Sequence, residues 1–207
     1  LHNSRFLIYL NVHQYGSSAY PNDHGHDDFI SFVLFHNSDP IFVDPGNLSY
    51  ENHIYNKYHD SGAHNTIICN QVNTDIVGRS VHRRTGRLQS ICLSQLHSCG
   101  RILKRYIHVY NDSVFLTDRL LRGKPYEMNF CQFQLGTQIV VDRQDKKCKL
   151  SGNEGRYETL SITGYSEISV DASQSSDSYG LMKQTQKLIC SPSDAIRNVS
   201  RVQVSCR

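Results

Sequence analysis

Residues 103–117 read LKRYIHVYNDSVFLT. Every second position of the first half falls on one face of an extended chain, and these positions hold Leu103, Arg105, Ile107 and Val109. Alternation with a period of two is typical of a half-buried β-strand, and the pair Asn111-Asp112 that follows has the composition of a turn. The stretch therefore predicts an antiparallel hairpin.

The same alternation recurs along most of the chain. Further strands are predicted at residues 6–12, 29–35, 41–43, 66–69, 88–93, 128–135, 138–141, 157–163, 167–170, 182–189 and 199–204. Residues 193–198 have the best helical period, and residues 172–178, rich in Ser and Asp, predict a mobile loop. About a dozen short strands separated by turn residues favour an antiparallel sandwich or barrel. No linker is evident, so we expect one domain over residues 1–207.

Composition narrows the class of protein further. The chain has 207 residues, 38% of them hydrophobic, and 22 Lys and Arg against 19 Asp and Glu, a net charge of +3. No apolar run approaches the roughly 18 residues that a membrane-spanning helix needs. The basic residues form no continuous stripe, so a nucleic-acid-binding protein is not expected. The first residues do not have the pattern of a signal peptide. The chain starts at Leu1 rather than at Met, which predicts a piece of a longer protein.

The cysteines argue against two further classes. There are seven, an odd number, and the sequence contains no CxxC. A zinc ribbon and a fully paired disulfide framework are therefore not expected, and most of the thiols read as small buried side chains. The compartment stays open on these grounds.

The histidines are crowded into one part of the chain. Six of the eleven lie within residues 24–64: His24, His26, His36, His53, His59 and His64. In an extended segment His24 and His26 would project from the same face about 6.6 Å apart. Asp44 follows the apolar run 41–43 and precedes Pro45-Gly46, a turn pair, and His64 precedes another strand.

Imidazoles and a carboxylate at strand ends can hold a divalent metal, with zinc the first candidate. The alternative is that His24, His26 and His64 are half-buried strand residues bonded to the backbone. A cupin site is not expected, because Glu would be needed at position 30 or 31 and Gly at position 18, and the chain has Ile30, Ser31 and Ser18 there.

Three blocks of sequence resemble a known family. They read HGHDDFISF from His24, IFVDPGNLSY from Ile41 and AHNTI from Ala63. In order and spacing they are similar to the motifs His-Gly-His-x-Asp, Val-Asp-Pro-Gly-Thr-x-x-Tyr and Ala-His-Asn-Thr-Val of the C-terminal domain of heparinase II/III-like polysaccharide lyases. Weaker similarity extends over about residues 5–190, and Asn47 stands where the family has Thr.

The resemblance implies a fold and an activity. The fold is an antiparallel β-sandwich of about a dozen strands, the C-terminal half of enzymes whose N-terminal half is a helical (α/α) toroid. The activity is cleavage of uronic-acid polysaccharides by β-elimination, which makes an acidic polysaccharide and the toroid the expected partners. Since no segment is left to form the toroid, we expect the chain alone to be a poor lyase. Such a lyase would be periplasmic or secreted, although the cysteines also suit a reducing compartment.

The resemblance also assigns residues. His24 matches the catalytic histidine, and Tyr50 matches a tyrosine that would act as acid or contact substrate. His26, Asp44 and His64 match the ligands of a structural zinc or similar divalent ion. Two alternatives stay open. Tyr50 could be an aromatic loop residue without a catalytic role, and His24 could support the metal ligands rather than act in catalysis.

The sequence also fits a second function. The sandwich could be a non-catalytic, metal-braced module that binds carbohydrate or serves assembly, linked to bacterial surface polysaccharide. The direction in which His24 points would separate this reading from the enzyme.

Overall fold

The computed structural model describes residues 1–12, 28–48, 58, 60–69, 76–86, 88–122, 128–135, 138–142, 147–151, 157–163, 165–178, 181–192 and 199–206. These residues form fifteen strands: β1 Phe6–Leu10, β2 Phe32–His36, β3 Asp39–Phe42, β4 Ile67–Cys69, β5 Ile76–Arg84, β6 Gln89–His97, β7 Ile102–Val109, β8 Ser113–Leu121, β9 Met128–Leu135, β10 Gln138–Asp142, β11 Lys147–Ser151, β12 Tyr157–Thr163, β13 Tyr165–Ser178, β14 Leu181–Pro192 and β15 Val199–Cys206. One turn of 3-10 helix, Ser61–Ala63, precedes β4.

The strands form two antiparallel sheets. The first has seven strands in the order β1-β2-β3-β9-β14-β13, with β4 also paired to β9. The second has eight strands in the order β10-β11-β12-β15-β8-β7-β6-β5. The predicted hairpin is β7 and β8, which lie in the middle of the second sheet and pair from Ile102↔Leu121 to Val109↔Val114.

One apolar core lies between the two sheets. The inward side chains of the first sheet include Phe6, Phe32 and Leu34, and those of the second include Ile107 and Leu116, all at most 2% exposed. They belong to one buried cluster. Along β7 buried and half-buried positions alternate without interruption, as the sequence pattern predicts. The sandwich class is therefore confirmed, with more strands than expected.

The sequence pattern missed or misplaced several elements. Strand β5 was not predicted, because Arg79, His82, Arg83 and Arg84 break its apolar alternation. Strand β2 begins at Phe32 rather than at residue 29, because residues 29 and 30 form a turn in which Ile30 has a φ of 67°. The helical window 193–198 lies outside the described residues.

The mobile loop predicted at residues 172–178 is wrong. These residues extend β13, and Ala172 to Ser175 pair in register with Gln186 to Lys183 of β14. Ser and Asp are poor strand formers on average, but pairing with a neighbouring strand overrides that preference.

A buried ion pair lies inside the core. Arg105 of β7 is 0% exposed and Asp118 of β8 is 2% exposed. The Arg105 Nε and Nη2 atoms donate to Asp118 Oδ1 and Oδ2 at 2.7 and 2.8 Å. The Arg105 Cζ also lies 5.2 Å from the ring centroid of Phe32 in the other sheet. This pair therefore joins the hairpin strands and contacts the facing sheet.

No helix among the described residues is long and apolar enough to cross a bilayer. Three cysteines of the described part are free thiols: Cys190 is buried as expected, Cys92 is half-buried and Cys99 is exposed.

We expect Arg105→Met to lower the free energy of unfolding by about 3 to 5 kcal/mol, because it leaves the Asp118 carboxylate buried without its partner. Urea denaturation measures this loss. The double variant Arg105→Met/Asp118→Leu should recover part of it, since no buried charge remains.

The matched control is Lys104→Met, which removes a cation from the next, half-buried position of the same strand. It should change the unfolding free energy by less than about 0.5 kcal/mol. A loss for Arg105→Met no larger than for this control would contradict the assigned role of the pair.

Candidate functional site

Asp44 lies just beyond the end of β3, where the sequence predicted a carboxylate beside a turn. Its Oδ1 accepts a hydrogen bond from the Gly46 backbone N–H at 2.9 Å. A carboxylate that bonds the backbone two residues ahead forms an Asx turn, which holds both the side chain and the bend. The turn therefore orients the Asp44 carboxylate.

The turn is held from outside by the end of β13. The Ser176 N–H donates to the Pro45 carbonyl at 2.7 Å, and Gly46 and Ser176 form an isolated parallel bridge. Gly46 has a φ of +71°, and a Cβ added there would lie 1.9 Å from the Ser176 carbonyl oxygen. Both the backbone conformation and this close approach require glycine.

His64 follows the 3-10 turn and is 0% exposed. Its Nδ1 lies 2.8 Å from Asp44 Oδ2, within hydrogen-bonding and ion-pairing distance. The two residues are 20 positions apart in sequence, so this contact brings together the second and third of the three sequence blocks.

Asn65, the residue after His64, bonds to the backbone of the segments around the candidate site. It is fully buried, and its Nδ2 donates to the carbonyls of Phe32 at 2.7 Å and Val43 at 2.9 Å. The amide thus ties the His64 segment to strand β2 and to the residue before Asp44.

Asp28 completes a cluster of three possible metal ligands. One ligand atom from each of Asp28, Asp44 and His64 lies within 4.8 Å of the others. The Asp28 carboxylate also accepts a hydrogen bond from Asn11 Nδ2, close to the end of β1. Sequence reasoning did not select Asp28 as a ligand, although it is the closing residue of the block His-Gly-His-x-Asp.

Arg105 reaches from the core to two segments of the site. Its Nη1 donates to the carbonyl of Ile30, at 2.9 Å, and to that of Asn65. Ile30 has positive φ, a conformation that is strained for a β-branched residue and persists only where the surroundings hold it. Arg105 is therefore a positioning residue for the segments that carry Asp28 and His64. Its sequence signal was a cation on the apolar face of an alternating strand.

The predicted site residues fall into two groups. The structure brings Asp44 and His64 together, and adds Asp28 to them. His24, His26 and Tyr50 lie outside the described residues, as do His53 and His59. His36 is buried, with its ring centroid 5.0 Å from that of Phe6.

The described cluster has the chemistry of a divalent metal site. Two carboxylates and one imidazole are donors that suit zinc and similar ions. The Asp44 and His64 atoms that face each other are within hydrogen-bonding distance, so an ion between them would require a small opening of that contact. The donor set therefore fits the group expected from the sequence.

Comparisons with known proteins agree with one another. A family model described as heparinase II/III-like, C-terminal matches residues 5–205. The heparan sulfate lyase HepC from Pedobacter heparinus has a TM-score of 0.74 and 16% identity, covering 98% of this chain and 33% of that one. A heparinase III gene product has a TM-score of 0.70 and 16% identity, covering 88% and 30%.

Another solved structure, of heparinase III, has a TM-score of 0.68 and 16% identity, covering 90% of this chain and 30% of that chain. A search of curated protein sequences finds no match. The chain spans about a third of the length of these solved proteins.

We expect Gly46→Ala to destabilise the site, because the new Cβ would meet the Ser176 carbonyl and force the Asp44 turn away from β13. The free energy of unfolding should fall by about 1 to 3 kcal/mol more than for the control. Thermal and urea denaturation measure the difference.

The control is Gly100→Ala, because Gly100 also has positive φ, +81°, but a Cβ there meets nothing within 4 Å. It isolates the backbone penalty, on the order of 1 kcal/mol. Equal losses in the two variants would show that the contact with Ser176 does not hold the turn.

Proposed function

The chain belongs to the heparinase II/III-like C-terminal family, and on this premise we propose that it is the β-sandwich domain of a polysaccharide lyase that acts by β-elimination on a uronic-acid-containing polysaccharide. The observation that carries the proposal is the meeting of Asp28, Asp44 and His64. These residues come from the three sequence blocks that mark the family, so the chain has the family's motifs in the arrangement that a common site needs.

The reaction requires three events. The uronate carboxylate is neutralised so that the C5 proton becomes acidic, a base removes that proton, and an acid protonates the departing O4. Histidine and tyrosine can exchange protons in this way, the tyrosine only if nearby positive charge lowers its pKa from about 10. We assign the proton transfers to His24 and Tyr50.

The described residues support these assignments because His24 and Tyr50 are close in sequence to residues of the candidate site. His24 precedes Asp28 by four positions, and Tyr50 follows Gly46 by four. Asp28 contacts Asn11, and Gly46 is pinned by Ser176. The two proposed catalytic residues therefore belong to segments whose anchored ends lie at one site.

We further propose a zinc or similar divalent ion held by His26, Asp44 and His64, with Asp28 as an additional oxygen donor. Such an ion would brace the segments against one another and would neutralise the two carboxylates. The role is structural, and the elimination itself needs no step at the metal.

A helical toroid, on another part of a longer protein or on another chain, would supply the rest of the cleft. The proposal rests on the coverage of about a third of each solved relative. The groups that neutralise the uronate carboxylate would then lie outside these 207 residues. The sandwich alone should therefore be nearly inactive. Acidic polysaccharides of this kind are extracellular, so we place the protein in the periplasm or outside the cell.

The activity is tested with the full-length protein containing this domain. Incubation with heparan sulfate, chondroitin, hyaluronan and alginate should release, from at least one of them, a product whose C4–C5 double bond absorbs in the ultraviolet. His24→Ala should then lower kcat by about 10² to 10⁴-fold, the usual worth of a general acid or base.

The matched control is His53→Ala, which removes a histidine of the same sequence region to which no role is assigned. It should leave kcat within about twofold of the unaltered protein. Absence of product from all four polysaccharides would refute the lyase. Binding of one of them without cleavage would favour the alternative, a non-catalytic metal-braced carbohydrate-binding or assembly module.

The metal is tested by elemental analysis of protein purified without added metal, which should contain a divalent ion in near-stoichiometric amount. His64→Ala should lower the metal content and the melting temperature, and a chelator should lower the melting temperature of the unaltered protein but not of the variant. His82→Ala, at an exposed position of β5, is the control. Identical melting with and without chelator would refute the metal and leave the fold unaffected.

A further inference from the structure

A second surface of the sandwich carries an open groove of about 670 Å³. It lies on the outward face of the eight-stranded sheet, over the middle strands β8, β7 and β15. Its walls include Tyr106, His108, Tyr110, Phe115, Arg119 and Arg201. The inward residues of the same strands, Arg105 among them, point to the core and to the Asp44 region. The sheet itself therefore separates this groove from the candidate metal site.

The groove is built in rows across three strands. Tyr106 pairs with Thr117, and Thr117 pairs with Arg201. His108 pairs with Phe115 in the next row. Strands lie about 4.8 Å apart, so each row spans roughly 10 Å and adjacent rows are about 7 Å apart. The sheet thus holds these side chains at fixed spacings without any loop.

The charged residues that line this groove are two arginines. Arg119 and Arg201 are exposed in the groove, and Lys104 pairs with Arg119 at its border. Across β5, β6, β7, β8 and β15 the sole acidic residue is Asp118, which points inward and is bonded to Arg105. The acidic residue nearest in sequence is Asp112, in the turn that follows Tyr110. An anion in the groove would therefore meet arginines and no facing carboxylate from these strands.

The remaining walls are aromatic. The rings of Tyr110 and Phe115 meet edge to face with centroids 5.2 Å apart, and the Arg119 Cζ lies 5.5 Å from the centroid of Tyr106. Tyr110 is 43% exposed, so part of its ring is open to a ligand in the groove. Aromatic faces pack well against the apolar C–H faces of sugar rings, and guanidinium groups pair with carboxylates and sulfates.

Two polar groups complete the groove. Nδ1 of His108 is buried and has no hydrogen-bond partner among the residues that the structure describes. Burial raises the pKa of the Tyr106 hydroxyl, with Cys92 adding to the effect and Arg119 opposing it, so the phenol stays protonated at neutral pH. The Tyr106 hydroxyl is thus a neutral hydrogen-bonding group in the groove wall, in addition to the arginines.

We infer that this groove is a non-catalytic binding site for a segment of an acidic polysaccharide, with Arg119 and Arg201 pairing its carboxylate or sulfate groups and Tyr110 and Phe115 packing against its sugar rings. The choice of a uronate-containing chain rests on the proposed function. The groove would hold a polymer at a second point, on the far side of the sheet from the cluster of Asp28, Asp44 and His64. Two points of attachment on one chain raise the effective concentration of substrate at the cleft.

The test is calorimetric titration of the 207-residue chain with a size-defined heparin hexasaccharide. Arg119→Gln/Arg201→Gln should raise the Kd at least tenfold, and Tyr110→Ala should raise it several-fold without any change in charge. Since all three positions are exposed, the variants should fold, which circular dichroism verifies. The affinity should fall as salt rises.

The matched control is Arg5→Gln/Arg83→Gln, which removes two exposed arginines outside the groove. It should change the Kd by less than about threefold. An equal loss in both double variants would overturn the proposal, because the effect would then follow net charge alone. Equally tight binding of a single-stranded DNA of matched charge would also overturn it, since the face would then be a general polyanion surface.

A third outcome concerns other occupants of the same face. If the hexasaccharide does not bind and the groove variants instead disrupt a dimer or the attachment of a helical domain, the glycan site is refuted and the face is a protein interface. Sedimentation of the chain and of the full-length protein distinguishes these cases.

The two proposals fail separately. If the hexasaccharide does not bind but the full-length protein releases unsaturated product, the glycan-binding role of the groove is refuted and the lyase proposal stands. If the hexasaccharide binds in the groove but no polysaccharide yields product, the glycan-binding proposal stands and the lyase proposal is refuted.

Discussion

The guanidinium of Arg105 is the interaction on which the arrangement of this sandwich depends. It is fully buried, it forms two bonds to Asp118 within its own sheet, and it donates to the Ile30 and Asn65 carbonyls in segments of the opposite layer. Burying a charge in this way is favourable only when all donors find partners, and the planar fork of arginine can bond a carboxylate and two carbonyls together. Separating these segments would take the buried donors of Arg105 away from these partners.

This constraint links the core to the candidate site. Asn65 receives a bond from Arg105 and gives two more, to the backbone before Asp44 and to β2. Ile30 is held in a strained conformation two residues after Asp28. The backbone N–H of Ser176 in β13 donates to the Pro45 carbonyl in the Asp44 turn. The segments that carry the ligand atoms of Asp28, Asp44 and His64 are therefore joined to one another by a buried polar network.

The fold class and part of the site were predictable for a simple reason. Alternation in β7 and β8 follows the pleat of a strand, and the three sequence blocks marked Asp44 and His64 as neighbours. The role of Arg105 was missed because its partners Ile30 and Asn65 are distant in sequence, and Asp28 was missed as a ligand although it closes the first sequence block. The loop expected at 172–178 was wrong because Ser and Asp lack strand preference until β14 pairs with them.

The sequence by itself determined the class of fold, the hairpin at the centre of the second sheet and the family to which the chain belongs, because periodicity and ordered motifs are local properties. The tertiary structure alone decided which residues meet. It joined Arg105 to Asp118 and Asn65, pinned Gly46 against Ser176, and placed arginines and aromatic rings of three strands in one groove. Such contacts depend on register and on the packing of one sheet against another, and both arise only when the whole chain has folded.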